Sequence, residues 1–236
     1  MNDTSPKSMN IKPALVVGGV IVAAMFVLSW WAWGRLPAGA QIPVHFDATG
    51  TPDRYGGRFE GLLLMPLISI GLLAMFAVIP RVEPRRQHLV QSSKAYFAVW
   101  MATMVVLAGV HAAAVLTALD YEVNITMVVL GLIGVMFVVI GNYLGKVRSN
   151  FLMGVRTPWT LTSDLSWNKT HRLAGRLFIL LGVVIVAAAF LDDPVVLIWV
   201  VLGGVLALLA VTVVYSYLVW KSDPDKQVIG REETPS

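Results

Sequence analysis

Asp164, Ser166 and His171 have the side-chain types of a hydrolase triad and lie within eight residues of one polar segment. A triad needs a base held between a nucleophile and an orienting acid. On the helix expected here, Asp164 and Ser166 are two positions apart and so do not share a face. The spacing therefore predicts a protein without enzymatic activity. A membrane enzyme that uses His45 or His171 stays open as the third of three hypotheses.

His45 and Asp47, in the polar segment 34–60, are chemical types that ligate metals. A structural zinc site has four ligands, so two candidates are too few. The chain has no cysteine, which removes thiolate ligands, disulfides and cysteine nucleophiles. We therefore expect neither a metal nor another cofactor. Two interpretations of this segment stay open: it binds an external molecule, or it is a lid packed on the rest of the protein.

His111 is the one clear ionisable candidate inside a long apolar block of the sequence. Such a group often marks an ion or substrate path. An imidazole that is hydrogen-bonded to a neighbouring helix also explains it, and we favour this structural role. Ion-coupled transporters usually carry several such polar groups, so their scarcity argues against ion-coupled transport. A transporter of small hydrophobic or peptide cargo, with a continuous polar cavity, is the second hypothesis.

These polar residues belong to a chain that is mostly apolar. Hydrophobic residues make up 57% of it and charged residues 14%, against about a quarter charged in soluble domains. A run of ~20 apolar residues crosses the hydrocarbon of a bilayer. The sequence therefore predicts an all-α fold, a polytopic transmembrane bundle of six helices. The predicted helices cover 13–33, 61–80, 95–118, 125–144, 173–191 and 194–219. Trp30, Trp100 and Trp199 lie near helix ends, as interfacial tryptophans do.

Lysine and arginine are distributed unevenly between the loops. With both termini in the cytoplasm, fifteen of the 18 Lys and Arg side chains fall on the cytoplasmic side. Cytoplasmic loops of membrane proteins carry this excess. We therefore predict a multi-pass membrane protein, with loop 34–60 outside, loop 145–172 inside and the tail 221–236 in the cytoplasm.

The outer loop has the signals of a shaped segment rather than a plain linker. Apolar residues alternate with others from Ile42 to Phe46, which indicates an extended strand. Gly50 and the pair Pro52-Asp53 indicate turns. The loop is thus long enough and ordered enough to carry function.

The inner loop contains a predicted helix start. Thr162 or Ser163 can cap a helix that begins near Asp164. The Leu, Trp and cationic side chains that follow suit an interfacial helix on anionic lipid. We favour the interfacial helix, and a docking surface for a cytoplasmic protein is the functional alternative. Gly141 and Gly145, at the inner end of the fourth helix, form a G-x-x-x-G pattern, which favours close helix packing within the bundle and leaves a dimer interface as the alternative.

The two loops also resemble known families. The segments IPVHF (42–46) and GTPDRY (50–55), preceded by Leu36-Pro37, resemble the DUF1648 signature. The segments IGNYLGKVRSNF (140–151), GVRTPWTL (154–161) and WNKTHRL (167–173) resemble the SdpI family. The resemblance implies a DUF1648-like region over 1–80, an SdpI-like membrane region over 81–220 and a tail over 221–236.

The resemblance to the SdpI family implies our first hypothesis, a multi-pass immunity and signal-transduction protein of the bacterial cell membrane. Such a protein protects its own cell from a secreted toxic peptide and holds a cytoplasmic autorepressor at the membrane. Its partners would be membrane lipid, the secreted peptide outside and the repressor inside. No direct nucleic-acid binding is expected.

Candidate site residues follow from this hypothesis. In the outer loop, carboxylates would attract cationic groups of the peptide and aromatic rings would offer apolar surface. The outer candidates are His45, Phe46, Asp47, Asp53, Arg54 and Tyr55. The candidates for the inner docking face are Asn142, Arg148, Arg156, Trp159, Lys169, His171 and Arg172.

Overall fold

A computed structural model describes residues 9–47, 49–191 and 193–226 of the chain. Within these residues, six helices are long and apolar enough to cross a membrane. They are Lys12–Trp33, Phe59–Val82, Ser93–Ala118, Ile125–Leu144, Asp164–Ala189 and Val195–Lys221. The predicted six-helix bundle is therefore confirmed, with one small two-stranded sheet added to it among the described residues.

We label the elements in chain order. They are α1 (Lys12–Trp33), β1 (Ile42–Phe46), β2 (Pro52–Gly56), α2 (Leu64–Val82), α3 (Arg86–Gln91), α4 (Ser93–Ala118), α5 (Ile125–Leu144), α6 (Pro158–Leu161), α7 (Asp164–Ala189), α8 (Pro194–Ile198) and α9 (Gly204–Lys221). Two π-helical turns complete the second and sixth spans. Phe59–Leu63 leads into α2, and Trp199–Gly203 joins α8 to α9.

The spanning helices pack mainly on their neighbours in the chain. α1 contacts α2 and α4, α4 contacts α5, α5 contacts α7, and α7 contacts α9. At one end, which we call the hairpin end, strands β1 and β2 lie beside the start of α5. At the other, the basic end, the segment 145–163 meets α3 and the residues after α9. Because α5 and α9 both run from the hairpin end to the basic end, they are parallel, and α7 runs between them in the opposite direction.

Glycines bring α5 and α7 into backbone contact. A Cβ atom at Gly141 would lie 2.6 Å from the carbonyl oxygen of Gly175, and one at Gly182 would lie 2.5 Å from that of Gly134. Small residues allow this approach between membrane helices, where dispersion and weak polar contacts drive packing. The predicted close packing at Gly141 is confirmed. Gly145, its partner in the pattern, makes only ordinary contact with Arg172.

The interfacial interpretation of Trp100 is wrong. Its side chain is fully buried and stacks on Phe76, with ring centroids 5.4 Å apart. Tyr96 packs edge-on against both rings and donates a hydrogen bond to the Phe76 carbonyl. Trp30 and Trp199 are exposed, as interfacial residues are.

The fifth span is longer than the sequence indicated. The predicted helix does begin at Asp164, capped by Ser163, but it continues unbroken to Ala189. Its 26 residues extend about 39 Å at 1.5 Å per residue, more than the ~30 Å of a bilayer's hydrocarbon. A separate interfacial helix is therefore not formed, because the cationic segment is the first two turns of α7 itself.

Candidate functional site

The outer loop folds as a β-hairpin. β1 pairs antiparallel with β2, with Ile42 opposite Gly56 and Phe46 opposite Pro52. The predicted strand is confirmed, but the turn expected at Pro52-Asp53 is wrong, since both residues belong to β2. A proline is tolerated at the first position of an edge strand because no ladder hydrogen bond is required of it. The turn lies between Asp47 and Thr51 instead.

One carboxylate oxygen organises that turn. Asp47 Oδ1 accepts hydrogen bonds from the Thr49 amide (2.8 Å), the Thr49 hydroxyl (2.6 Å) and the Thr51 amide (2.9 Å). The bonds from Thr49 and Thr51 lower the pKa of Asp47 below its ordinary value, so the group stays ionised. Gly50 has φ +83°, and a Cβ atom there would lie 2.3 Å from the Thr126 hydroxyl. Because it has no side chain, Gly50 allows the turn to pack against Thr126 at the start of α5.

The other end of the hairpin is anchored in the bundle. Ile42 is buried with Ala32, Leu62 and Val115, and Gly61 approaches so closely that a Cβ atom there would lie 2.5 Å from the Ile42 side chain. Burial of these apolar side chains fixes the base of the hairpin to α1, α4 and the π-helical turn before α2. Both interpretations of the loop survive, since the hairpin packs on the bundle and also presents exposed side chains.

Charged side chains on the hairpin are mostly paired within it. His45 Nδ1 lies 2.6 Å from Asp53 Oδ1, and Arg54 donates to Glu60 Oε1 at 2.6 Å. Arg58 donates to the carbonyl oxygens of Leu36 and Pro37. The arginines of this end are thus engaged by neighbouring groups.

An apolar cavity lies under the hairpin tip. Its volume is about 390 Å³, and it is lined by Phe46, Asp47, the first turns of α5 and residues Leu197–Leu202. Ligand pockets commonly have about 300–1,000 Å³ and a few polar groups in an apolar lining. Asp47 is the one charged residue of this lining. Two of the six outer candidates therefore meet at a cavity with an ionised carboxylate at its edge.

At the basic end, a buried histidine fixes the loop before α6. His171 is 1% exposed, and its ring stacks on Trp167 with centroids 4.0 Å apart. Nδ1 donates to the Trp167 carbonyl (2.8 Å), while Nε2 accepts from the Val155 amide (3.0 Å). These partners require a neutral ring with its proton on Nδ1. Gly154 makes the approach possible: its φ is +105°, and a Cβ atom there would lie 2.1 Å from Nε2.

His171 therefore does not lie on an exposed docking face, because the fold uses both ring nitrogens internally. Nor does it meet the other triad candidates. The Ser166 hydroxyl donates to the Ser216 carbonyl at 2.8 Å, and Asp164 is exposed at the start of α7. The Ser166 hydroxyl and both ring nitrogens of His171 are therefore bonded to groups outside the proposed triad.

A buried acid joins the basic-end loop to the segment after α2. Glu83 is 4% exposed, and its Oε1 accepts from the amides of Arg85 (3.0 Å) and Phe151 (3.2 Å). His88 Nδ1 lies 2.6 Å from the Ser149 carbonyl oxygen, and Arg85 donates to the Ser149 hydroxyl. No sequence motif predicted this cluster. The sequence feature that could have indicated it is Glu83, the one acidic residue in the otherwise cationic segment 81–94.

The matches to known proteins fall on these two regions. Residues 146–216 match the SdpI/YfhL protein family, and residues 20–70 match the domain of unknown function DUF1648. The chain is 31% identical over 208 residues to the Immunity protein SdpI of Bacillus subtilis (strain 168), across 87% of this chain and 95% of that protein. The chain belongs to the SdpI family. No solved structure matches it.

This SdpI-family chain is accordingly a multi-pass bacterial membrane protein. Membership in a family that contains an immunity protein also favours a protein that is not an enzyme. The DUF1648 match contains the hairpin, and the SdpI match contains the loop held by His171.

The remaining inner candidates have separate environments. Trp159 is half-buried and packs edge-on against Tyr217, with centroids 5.3 Å apart. The other five are exposed at or near the basic end: Asn142, Arg148, Arg156, Lys169 and Arg172. Arg156 differs from the other cations of this set because it lines a cavity, described below.

The structural role favoured for His111 is confirmed. Its Nε2 lies 3.0 Å from the Ser29 hydroxyl and 3.3 Å from the Met25 carbonyl oxygen. The Ser29 hydroxyl also lies 2.6 Å from the carbonyl oxygen of Leu62. These contacts join α1, the π-helical turn before α2, and α4 in one buried polar cluster.

The transporter hypothesis predicted a continuous polar cavity through the bundle. The cavity under the hairpin and the one near Arg156 have no lining residue in common, and apolar side chains dominate both linings. Phe137 of α5 stacks on Phe178 of α7, with ring centroids 5.0 Å apart. This aromatic pair joins the two helices between the two cavities. These features of the described residues count against a polar path.

Proposed function

We propose that this chain is a membrane immunity protein that protects its cell from a secreted toxic peptide, which contacts the hairpin from outside. The observation that carries the proposal is the apolar cavity with Asp47 at its edge, under a hairpin that is anchored in the bundle. The relative's designation as an immunity protein supports the proposed role.

The chemistry of this site favours a peptide that is both apolar and cationic. The cavity accepts an apolar side chain, and the ionised Asp47 attracts a neighbouring lysine or arginine. Glu60 pairs with Arg54 and so offsets its charge, while Arg58 donates to the backbone carbonyl oxygens of Leu36 and Pro37 and does not line the cavity. Tyr55, 52% exposed, adds an aromatic contact surface. The proposal needs the hairpin outside the cell, as the distribution of Lys and Arg predicts.

The second part of the proposal concerns a cytoplasmic autorepressor that the basic end holds at the membrane. Exposed cations at this end, with Asn142 and Trp159, form the surface for an acidic partner. These cations are Arg148, Arg156, Lys169 and Arg172. Binding outside would change affinity inside only if the bundle has two states with different surfaces. The buried contacts of Glu83 and His171 join the surface loops to α2 and α7, and so are where such a change would act.

The test is protection in the native host. A strain lacking the gene should be inhibited by conditioned medium from its parent, and the wild-type gene should restore growth. A variant with residues 42–56 replaced by a Gly-Ser linker should not restore it, although it reaches the membrane at the same level. Among point variants, Asp47→Asn should weaken protection, whereas Glu122→Gln, another exposed acid of the hairpin end, should not.

Two results would contradict this function. Either the deletion strain grows normally in conditioned medium, or the linker variant protects as well as the wild type. For the repressor, the proposal expects membrane recovery of a regulatory protein that depends on Arg148 and Lys169. A regulator that is equally soluble with and without this chain would remove that part and leave the protective role standing.

A further inference from the structure

A lateral cavity opens between α5 and α9 near the basic end. Its volume is about 570 Å³, within the range of ordinary ligand pockets, about 300–1,000 Å³. α4 and α5 form one wall, α9 forms the other, and Phe178 of α7 lies at its floor. The loop from Leu152 to Thr157 closes it toward the basic end.

The cavity exists because the two walls do not meet. In the described part of the chain, α9 packs on α6 and α7, whereas its backbone does not approach the backbone of α4 or α5. An empty apolar gap would forfeit the dispersion contacts of every group that lines it. The gap lies between spanning helices, at the level of Ile140 to Leu144 on α5 and Leu208 to Val213 on α9, so lipid chains are the apolar groups next to it.

Arg156 is the one charged residue of this lining. One of its guanidinium nitrogens donates to the Phe151 carbonyl at 2.5 Å. A guanidinium has five N–H donors, so most of them remain for a ligand. The backbone that carries Arg156 is held in place: the preceding amide, that of Val155, donates to the buried His171, and Gly154 adopts the left-handed conformation this requires.

We infer that this cavity binds one acyl chain of an anionic phospholipid whose phosphate is held by Arg156. The apolar walls contact the acyl chain, and the guanidinium of Arg156 donates charge-assisted hydrogen bonds to the phosphate of the headgroup. Basic pockets between membrane helices bind anionic headgroups in this way. An anionic lipid is preferred over a zwitterionic one because its headgroup has no cation to compete with Arg156.

Charge complementarity selects this occupant over others. The cavity has a single cation next to an apolar space, and Lys146 and Arg148 add positive charge at the end of α5. A lipid phosphate with an attached chain matches both features at once. The inference does not depend on the protective role of the hairpin, since the cavity lies at the opposite end. Arg156 also belongs to the proposed repressor surface, and the lipid test is made without a repressor.

Lipid retention by the purified full chain tests the inference. The protein in mild detergent is titrated with phosphatidylglycerol or phosphatidylcholine, and bound lipid is counted by native mass spectrometry. One phosphatidylglycerol should bind in preference to phosphatidylcholine. Arg156→Gln should weaken that binding about fivefold, the usual contribution of one cation near anionic lipid. The control Arg172→Gln removes an exposed cation that does not line the cavity and should have no such effect.

A second pair of variants tests the acyl chain separately. Leu209 lines the cavity and is 51% exposed, so Leu209→Trp should fill the space and displace the lipid without disturbing the core. Leu206, 66% exposed on the same helix, does not line it, and Leu206→Trp is the matched control. Inorganic phosphate at millimolar concentration should not displace the lipid, because it has no chain.

Several outcomes would overturn the inference. Equal binding of the two lipids, or equal effects of Arg156→Gln and Arg172→Gln, would remove the headgroup site. Unchanged binding in Leu209→Trp, or displacement by inorganic phosphate, would remove the acyl chain from the cavity. If the wild type is a dimer that Leu209→Trp dissociates, and if it shows no preference between the two lipids, the cavity would belong to an interface with a second copy of the chain.

Discussion

The hairpin end and the basic end are built from contacts of different range along the chain. Within the hairpin itself, polar partners are close in sequence: Asp47 with Thr49 and Thr51, and His45 with Asp53. At the basic end they are distant: Glu83 bonds to the amide of Phe151.

The two ends also differ in burial. The side chains of His45 and Asp53 are 63% and 47% exposed, whereas His171 is 1% exposed and Glu83 4% exposed. Polar groups in water exchange partners at little cost, but buried ones must keep theirs. The comparison indicates that the hairpin end presents exposed polar side chains that a ligand can reach, while the buried polar groups of the basic end hold its segments together.

The largest expected effect comes from the helix pair that connects the two ends. Gly141→Ala places a Cβ atom 2.6 Å from the Gly175 carbonyl oxygen, so α5 and α7 must separate. We expect a loss of about 1–3 kcal/mol in the free energy of unfolding, measured by denaturant titration in detergent. Gly131→Ala is the control, because a Cβ atom there meets nothing within 4 Å. Equal stability of the two variants would contradict the close packing.

Two histidines test the difference between the ends directly. His171→Ala leaves the Val155 amide without its acceptor and removes the side-chain hydrogen bond to the Trp167 carbonyl, which should cost about 1–3 kcal/mol. His45→Ala removes an exposed pair with Asp53, which should cost about 0–1 kcal/mol. The measurement is the same denaturant titration for both. A larger loss for His45→Ala than for His171→Ala would reverse the comparison.

A smaller effect is expected within the hairpin. Arg54→Ala breaks the pair with Glu60, whose side chains are 59% and 34% exposed. Solvent screens such a pair, so the change in stability should be about 0–1 kcal/mol. Differential scanning fluorimetry at low and high salt measures it, and the wild-type advantage should shrink at high salt. A loss that is large and independent of salt would show that the pair is more than a surface contact.

The smallest expected effect is the loss of the Asp47 turn bonds when the pH is lowered. Because the pKa of Asp47 lies below its ordinary value, the turn bonds contribute stability at neutral pH, and this contribution is lost as pH falls through the lowered pKa. The Thr49 and Thr51 amide resonances should therefore stay constant from neutral pH to about pH 4 and change only below it. Amide resonances that titrate above this value would contradict the turn's hydrogen bonds.

Much of the fold follows from the sequence because lipid imposes a simple pattern. Apolar blocks of spanning length predict the helices, and the alternation from Ile42 to Phe46 predicts β1. β2 escaped notice because Pro52-Asp53 favour turns locally, while pairing with β1 overrides that preference. The length of α7 escaped notice because its first turns are cationic, and hydropathy stops where the charged residues begin.

The candidate site was less predictable for a physical reason. The types of Phe46 and Asp47 suggested peptide contact, but the cavity they line depends on α5 and on Leu197, far along the chain. His171 looked like an exposed polar residue of a basic loop, yet the partner of its Nε2 atom is a backbone amide that no side-chain pattern marks. Contacts between segments that are distant in sequence leave no local signal.

The central claim of this account is that the hairpin faces the outside of the cell and the basic end faces the cytoplasm. The chain has no cysteine, so single cysteines can be introduced as probes. Tyr55 is exposed on the hairpin, and Lys169 is exposed in the first turns of α7, so the probes are Tyr55→Cys and Lys169→Cys. A membrane-impermeant maleimide should label Tyr55→Cys in intact cells, and Lys169→Cys only after the cells are permeabilised. Labelling in the opposite order would contradict the claim and remove the hairpin from any contact with a secreted peptide.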